Sequence, residues 1–166
     1  MFRPILTFGA TLMLALPVAA QDAPARDYDG GILTACLAEH TGDDRLSCIG
    51  KASDPCMDSS TVGMVGCLAQ ETDQWDGLLN AAYQVLTADA ENADKELEGT
   101  GLTVPLSAPA LQQMQRAWIA FRDAACDYEA ATWQGGTGAG PAAQHCLMDL
   151  TARQALRLKD QADAPR

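Results

Sequence analysis

The chain has 166 residues, the size of one domain. Eleven Lys and Arg stand against 22 Asp and Glu, a formal charge of −11. That balance argues against nucleic acid as a partner, because phosphates need a cationic surface, and against loose attachment to an anionic membrane. Hydrophobic residues make up 48 %, enough for one buried core and too many for a disordered chain.

The first twenty residues read as a secretory signal. Arg3 precedes an apolar stretch from Ile5 to Val18, and Val18-Ala19-Ala20 puts small residues at the cleavage positions before Gln21. The stretch is short and broken by Thr7, Gly9, Thr11 and Pro17, which argues against a spanning helix. Cleavage would leave 10 cations against 22 acids, or −12. No cysteine sits at the cleavage site to take a lipid, so the expected product is periplasmic or secreted and has no stable membrane anchor.

Residues 21–29 read as a flexible leader, residues 30–162 as a single helical domain and 163–166 as a disordered tail. A short helix is expected from Gly30 to His40, with Leu33 and Leu37 inward. Asp43 is the expected cap of a second short helix that ends before Asp54-Pro55. Ser59, Ser60 or Thr61 then caps a long helix to about Ala93. Its stripe of Val65, Leu68, Thr72, Trp75, Leu79, Ala82 or Tyr83, and Leu86 steps by three or four residues, the mark of a face packed on other helices.

Asp94 to Thr103 reads as a loop. Leu102-Thr103-Val104-Pro105-Leu106 has strand-like alternation, but Pro105 counts against a strand. Ser107 caps the next helix, whose expected inward stripe is Leu111, Met114, Trp118, Phe121, Ala125, Tyr128 and Thr132. A glycine-rich loop over Gly135 to Gly140 leads to a last helix from Pro141 to Gln161. Its expected inward residues are Cys146 or Leu147, Leu150, Gln154 or Ala155, and Leu158. The fold class is all-α: a small disulfide-stapled helical bundle, two short N-terminal helices followed by three longer ones.

Six cysteines in an exported chain point to disulfides. They allow many connectivities. Nearest-neighbour pairing is favoured: Cys36–Cys48 and Cys56–Cys67 span turns between helical segments, and Cys126–Cys146 closes the glycine-rich loop. The competing reading is a metal site using Cys36 and His40, four residues apart, with His145 beside Cys146. There is no Cys-x-x-Cys and no pair of histidines at ligand spacing, so no metal and no cofactor is expected.

The catalytic signatures G-x-S-x-G, H-E-x-x-H and G-x-x-x-x-G-K-[ST] do not occur. Acid pairs such as Asp43/Asp44 and Glu96/Glu98 read as a solvated face, and the chain does not read as an enzyme. The informative constellation is Trp118-x-x-x-Arg122-Asp123-x-x-Cys126, three positions one helical turn apart. A guanidinium placed there stacks on the indole or reaches Glu71, Asp76 or Asn80 on the long earlier helix. Arg122 and Asp123 then either lock two helices together or contact a partner.

The run Cys56, Thr61, Met64, Cys67, Glu71, Asp76, Leu79-Asn80, Tyr83, then Gln115-Arg116-Ala117-Trp118, Arg122-Asp123, Cys126, the glycine-rich loop, Cys146, Leu150-Thr151, Arg153 and Leu156 resembles the LprI-type lysozyme-inhibitor family. The resemblance covers residues 54–158. It implies an all-helical, exported, disulfide-bonded domain that inhibits lysozyme-like muramidases. Asp76, Asn80, Tyr83, Trp118, Arg122, Asp123, Thr151 and Arg153 are its motif residues, expected to be structural. The best-described member is a lipoprotein; this chain has no lipobox, which implies an unanchored form.

Charge agrees with that reading, since an acidic protein is steered onto a basic lysozyme. An inhibitory loop entering a cleft of catalytic carboxylates would suit a cation, yet Gln134 to Gln144 has none. Lys95, Arg45 and Lys51 are the other candidate contact cations. The alternative is a non-enzymatic envelope module with a different protein partner.

Overall fold

Three of the helices start where a side chain accepts from their first free backbone N–H groups. The computed structural model describes residues 27–57 and 59–165. The expected signal segment, residues 21–26 of the leader and the last residue of the tail lie outside them. Helix α1 spans Gly30–Glu39, and Asp29 caps it by accepting from Gly31 N at 2.8 Å. A 3-10 helix, Gly42–Cys48, follows in place of the expected second α-helix. Its residue before the first turn is Thr41, not Asp43, and turns then carry the chain through residues 49–56. The glycine at position 50 takes φ +88°, which an α-helix running on to Ser53 would not permit.

Helix α2, Thr61–Leu97, begins at the Ser60 cap, whose hydroxyl accepts from Gly63 N at 2.9 Å. It runs four residues past its expected end at Ala93. Helix α3 spans Ser107–Thr132 and α4 spans Ala139–Asp163. No residue from 27 to 57 or 59 to 165 is in a strand. The three long helices pack side by side, α2 most extensively on α4. Their core is Leu68, Trp75, Leu79 and Leu86 of α2 against Met148, Ala152, Ala155 and Leu158 of α4, with Leu33 of α1 closing one side.

The expected stripe of α2 is the buried one. That of α3 holds in its first half, where Leu111, Met114 and Trp118 pack on the core, and fails beyond it: Phe121 is 61 % and Tyr128 71 % exposed, while Gln115 and Cys126 are buried. Past Trp118 the inward face shifts by a fraction of a turn, from Phe121 and Tyr128 to Cys126. Ser107 is the first residue of α3, not its cap. The cap comes from α2, where Asp94 accepts from Ser107 N at 2.6 Å and Ala108 N at 2.9 Å. A carboxylate cap of this kind is worth about 1 kcal/mol, and here it also ties the two ends of one connection together. In α4 the expected Gln154, Ala155 and Leu158 are buried, whereas Cys146, Leu147 and Leu150 are only half-buried and Met148, Thr151 and Ala152 take the inward places in the first half of the helix.

Three disulfides join Cys36 to Cys48, Cys56 to Cys67 and Cys126 to Cys146. The first ties α1 to the 3-10 helix. The second ties the turn segment to α2, and the third ties α3 to α4 across their connection. In that connection Trp133 lies against Gly138 so closely that a Cβ there would sit 2.1 Å from its ring. One of the loop glycines is therefore required for close approach rather than for flexibility.

Tyr28 and Asp29, at the end of the expected leader, are tied to the helices. The Tyr28 hydroxyl donates to Gln74 Oε1 at 2.6 Å, and Gln74 Nε2 donates to Gly30 O at 3.0 Å. Burial, then the charges of Glu71 and Asp29, push the phenol from 10.0 up to about 12. The folded protein holds this proton where the unfolded chain has released it. Its contribution is thus complete below about pH 10 and lost as pH rises toward about 12. Urea midpoints measured from pH 9 upward should fall across that window. Tyr28→Phe should flatten the fall, and an unchanged pH slope in that variant would refute the assignment.

Candidate functional site

The buried polar centre of the molecule is Glu71, fully buried one turn before Trp75 on the inward face of α2. Its Oε1 accepts from Gly50 N at 2.7 Å and from Trp75 Nε1 at 3.0 Å. Its Oε2 accepts from Ala52 N at 3.1 Å and Ser53 N at 2.7 Å. A carboxylate alone in a core costs several kcal/mol, and four donors are what make this one tolerable. The group pins the turn segment, and with it the Cys48 and Cys56 ends of two crosslinks, to the long helix. Glu71 was expected only as a partner for Arg122. Its signal was a charged residue inside an apolar stripe, between Leu68 and Trp75.

Arg122 does not reach α2. Its guanidinium lies 5.1 Å from the centroid of the Trp118 ring and donates from Nε and Nη2 to Asp123 Oδ1 at 2.9 and 2.8 Å. The proposed partners are engaged elsewhere: Glu71 by the turn, and Asp76 by Asn80 Nδ2 at 2.7 Å. A cation over an indole contributes about 0.5–1 kcal/mol at an exposed site, and a solvated pair about 0–1 kcal/mol. The constellation therefore stiffens one face of α3 beside the Cys126 crosslink and does not clamp α3 to α2.

The remaining motif residues are spread over the bundle. Tyr83 is half-buried against the core. Thr151 is fully buried on α4; among the described buried side-chain oxygens and nitrogens, its Oγ1 is the one without a hydrogen-bond partner. Arg153 is exposed and donates to Asp149 Oδ2 at 2.7 Å. Asp76, Asn80, Tyr83, Trp118, Arg122, Asp123, Thr151 and Arg153 thus do not converge on one cleft.

Among the candidate contact cations, Arg45 is withdrawn from the surface. It is 9 % exposed, donates to Gly42 O at 3.1 Å and forms an ion pair with Asp160. Lys51 and Lys95 are exposed. The sulfurs of Cys36 and Cys48 and a ring nitrogen of His40 lie within 4.8 Å of one another. Those cysteines are bonded to each other, however, and His40 Nδ1 lies 2.9 Å from Cys36 O.

Several depressions mark the described surface, and two bear on the residues above. One, of about 280 Å³, lies between α1, α2 and α4, walled by Leu37, Trp75, Leu78 and Leu156 with Arg45 and Lys159 at its edge. The other, an open groove of about 560 Å³ between α3 and α4, carries Phe121, Tyr128, Glu129, His145 and Asp149. No described helix is long and apolar enough to cross a membrane.

These features define a class: a disulfide-stapled all-helical scaffold whose buried polar groups hold its own backbone together. More narrowly, the chain belongs to the lysozyme inhibitor LprI family, which its residues 53–158 match. The match begins after Cys36 and Cys48, so the first crosslink lies outside the shared region. An uncharacterised 17.7 kDa protein encoded in the puhA 5′ region of Rhodobacter capsulatus is 29 % identical over 158 residues, covering 89 % of this chain and 95 % of that one. An uncharacterised protein of Rhizobium meliloti (strain 1021) is 31 % identical over 94 residues, covering 57 % of this chain and 68 % of its own length. No solved structure matches the chain significantly.

Proposed function

We propose that this protein is an exported, non-enzymatic inhibitor of lysozyme-like muramidases, acting in the periplasm or outside the cell. The observation that carries the reading is the family match over residues 53–158. A charge of −11 supports it, because a basic muramidase would be drawn onto such a surface with fast, salt-sensitive association. The polar chemistry supports it as well. The buried carboxylate is saturated by backbone and indole donors, and the histidines are placed apart, His40 against the Cys36 carbonyl and His145 exposed on α4.

The test is a titration of the oxidised protein, without residues 1–20, into a lysozyme activity assay at low and moderate salt. Saturable, stoichiometric inhibition that survives moderate salt is expected. Inhibition that vanishes as salt rises would reduce the effect to non-specific charge attraction and end the inhibitor reading.

A further inference from the structure

The connection between α2 and α3 combines features that its length alone does not require. Every residue from 98 to 107 is exposed. Three of them are large and apolar, at alternate positions: Leu102 is 65 %, Val104 46 % and Leu106 49 % exposed. Single exposed apolar residues are ordinary, but a run of three on one short connection marks a surface built to be covered.

The connection is also held in shape. At its start, Thr100 N and Oγ1 both donate to Leu97 O, at 3.2 and 2.9 Å, and Thr100 Oγ1 accepts from Leu102 N at 3.2 Å. Gly99 and Gly101 take φ +82° and +75°, which other residues adopt only with strain. At its end, Asp94 holds Ser107 and Ala108. Pro105 restricts the crest between these clamps. A loop fixed in advance loses little entropy when a partner covers it.

Charge identifies the kind of partner. Residues 89–98, the last turns of α2 below the crest, carry Asp89, Glu91, Asp94, Glu96 and Glu98 against Lys95 alone. Residues 99–115 carry no charge at all. The feature is thus an uncharged apolar crest on an acidic base, the arrangement of an interface with an apolar centre and a polar rim. It fits a partner whose cleft has apolar walls and cations at its mouth. An uncharged crest also avoids repulsion from carboxylates inside such a cleft, which glycoside hydrolases place there.

We propose that residues 98–106, with Leu102, Val104 and Leu106 at the crest and Glu91, Glu96 and Glu98 at the base, form the surface that docks into the cleft of a basic muramidase. The muramidase as occupant rests on the functional reading above. The glycine-rich connection between α3 and α4 is not that surface. It lacks a comparable apolar crest, and Trp133 folds back onto Gly138 within it.

The experiment measures both binding to and inhibition of a basic lysozyme. It compares the native protein, a crest variant (Leu102→Ser with Val104→Ser), a base variant (Glu96→Gln with Glu98→Gln) and a groove variant (Phe121→Ser with Tyr128→Ser). All six positions are exposed, and a melting curve for each variant verifies the fold. The crest variant should bind and inhibit at least about 10-fold more weakly, as expected when buried apolar anchors are removed. The base variant should associate more slowly with a shallower salt dependence, and the groove variant should match the native protein.

Native inhibition that persists in the crest variant overturns the crest and leaves the inhibitor function standing. Binding that depends on the crest without any loss of lysozyme activity puts the crest outside the cleft and overturns both cleft docking and inhibition. Failure of the native protein to bind lysozyme at all overturns both.

Discussion

Glu71→Gln should lower the stability of this protein by about 2–6 kcal/mol, because two of the four buried donors lose their acceptor. The carboxylate accepts four hydrogen bonds, three from the backbone of the turn segment and one from Trp75. A glutamine of the same shape keeps one acceptor oxygen and presents an NH₂ where two donors already point. Each buried donor left without a partner costs about 1–3 kcal/mol. In a domain of this size a loss of 1 kcal/mol lowers the melting temperature by about 2–4 °C, so a drop of roughly 10 °C is expected by thermal denaturation. Amide exchange at Gly50, Ala52 and Ser53 should accelerate first, because these N–H groups lose their acceptor. A variant melting within about 2 °C of the native protein would show that the carboxylate is not what fixes the turn segment.

The second large effect should come from removing the crosslink between α3 and α4. Cys126 and Cys146 are 20 positions apart and close the longest disulfide loop of the three. Loop closure on that scale removes about 3 kcal/mol of unfolded-chain entropy. Cys126→Ala with Cys146→Ala should therefore cost about 3 kcal/mol in denaturant titrations, with loosening concentrated at the end of α3 and in the turn beyond Trp133. The core between α2 and α4 does not include this pair, so the variant should still fold. An unchanged denaturant midpoint would mean that packing between α3 and α4 already holds the connection closed.

The two effects differ in how far the sequence announced them. Pairing of Cys126 with Cys146 was the favoured reading of a chain expected to be exported, because closing the glycine-rich stretch between them is the entropically simplest crosslink. The role of Glu71 does not follow. Three of its four hydrogen-bond donors lie 18 to 21 residues earlier, in a segment of turns that the sequence did not resolve. The sequence shows a charge on an apolar stripe and cannot name what satisfies it.

Helix α3 shows the same limit in another form. Steps of three and four through Phe121 and Tyr128 and steps through Arg122 and Cys126 describe neighbouring faces of one helix, and both contain residues able to pack. The choice between them was made by α4, which covers the face bearing the crosslink and leaves the two aromatic rings at 61 % and 71 % exposed. For α2 there was no such ambiguity, because its stripe of Leu68, Trp75, Leu79 and Leu86 has no rival on the opposite side.

By itself, then, the sequence determined what depends on local spacing: the all-helical class, the order of short and long helices and the face of α2; it also favoured the nearest-neighbour cysteine pairs. Periodicity and loop closure act between residues close in the chain, so they can be read from it. The tertiary structure alone decided the face of α3 beyond Trp118, the four partners of Glu71, the retention of Arg122 on its own helix and the capping of α3 by Asp94. It also decided that Leu102, Val104 and Leu106 stand uncovered on a clamped connection. Each of these depends on which distant element arrives to bury a group or to accept its hydrogen bond, and that is settled only when the helices pack.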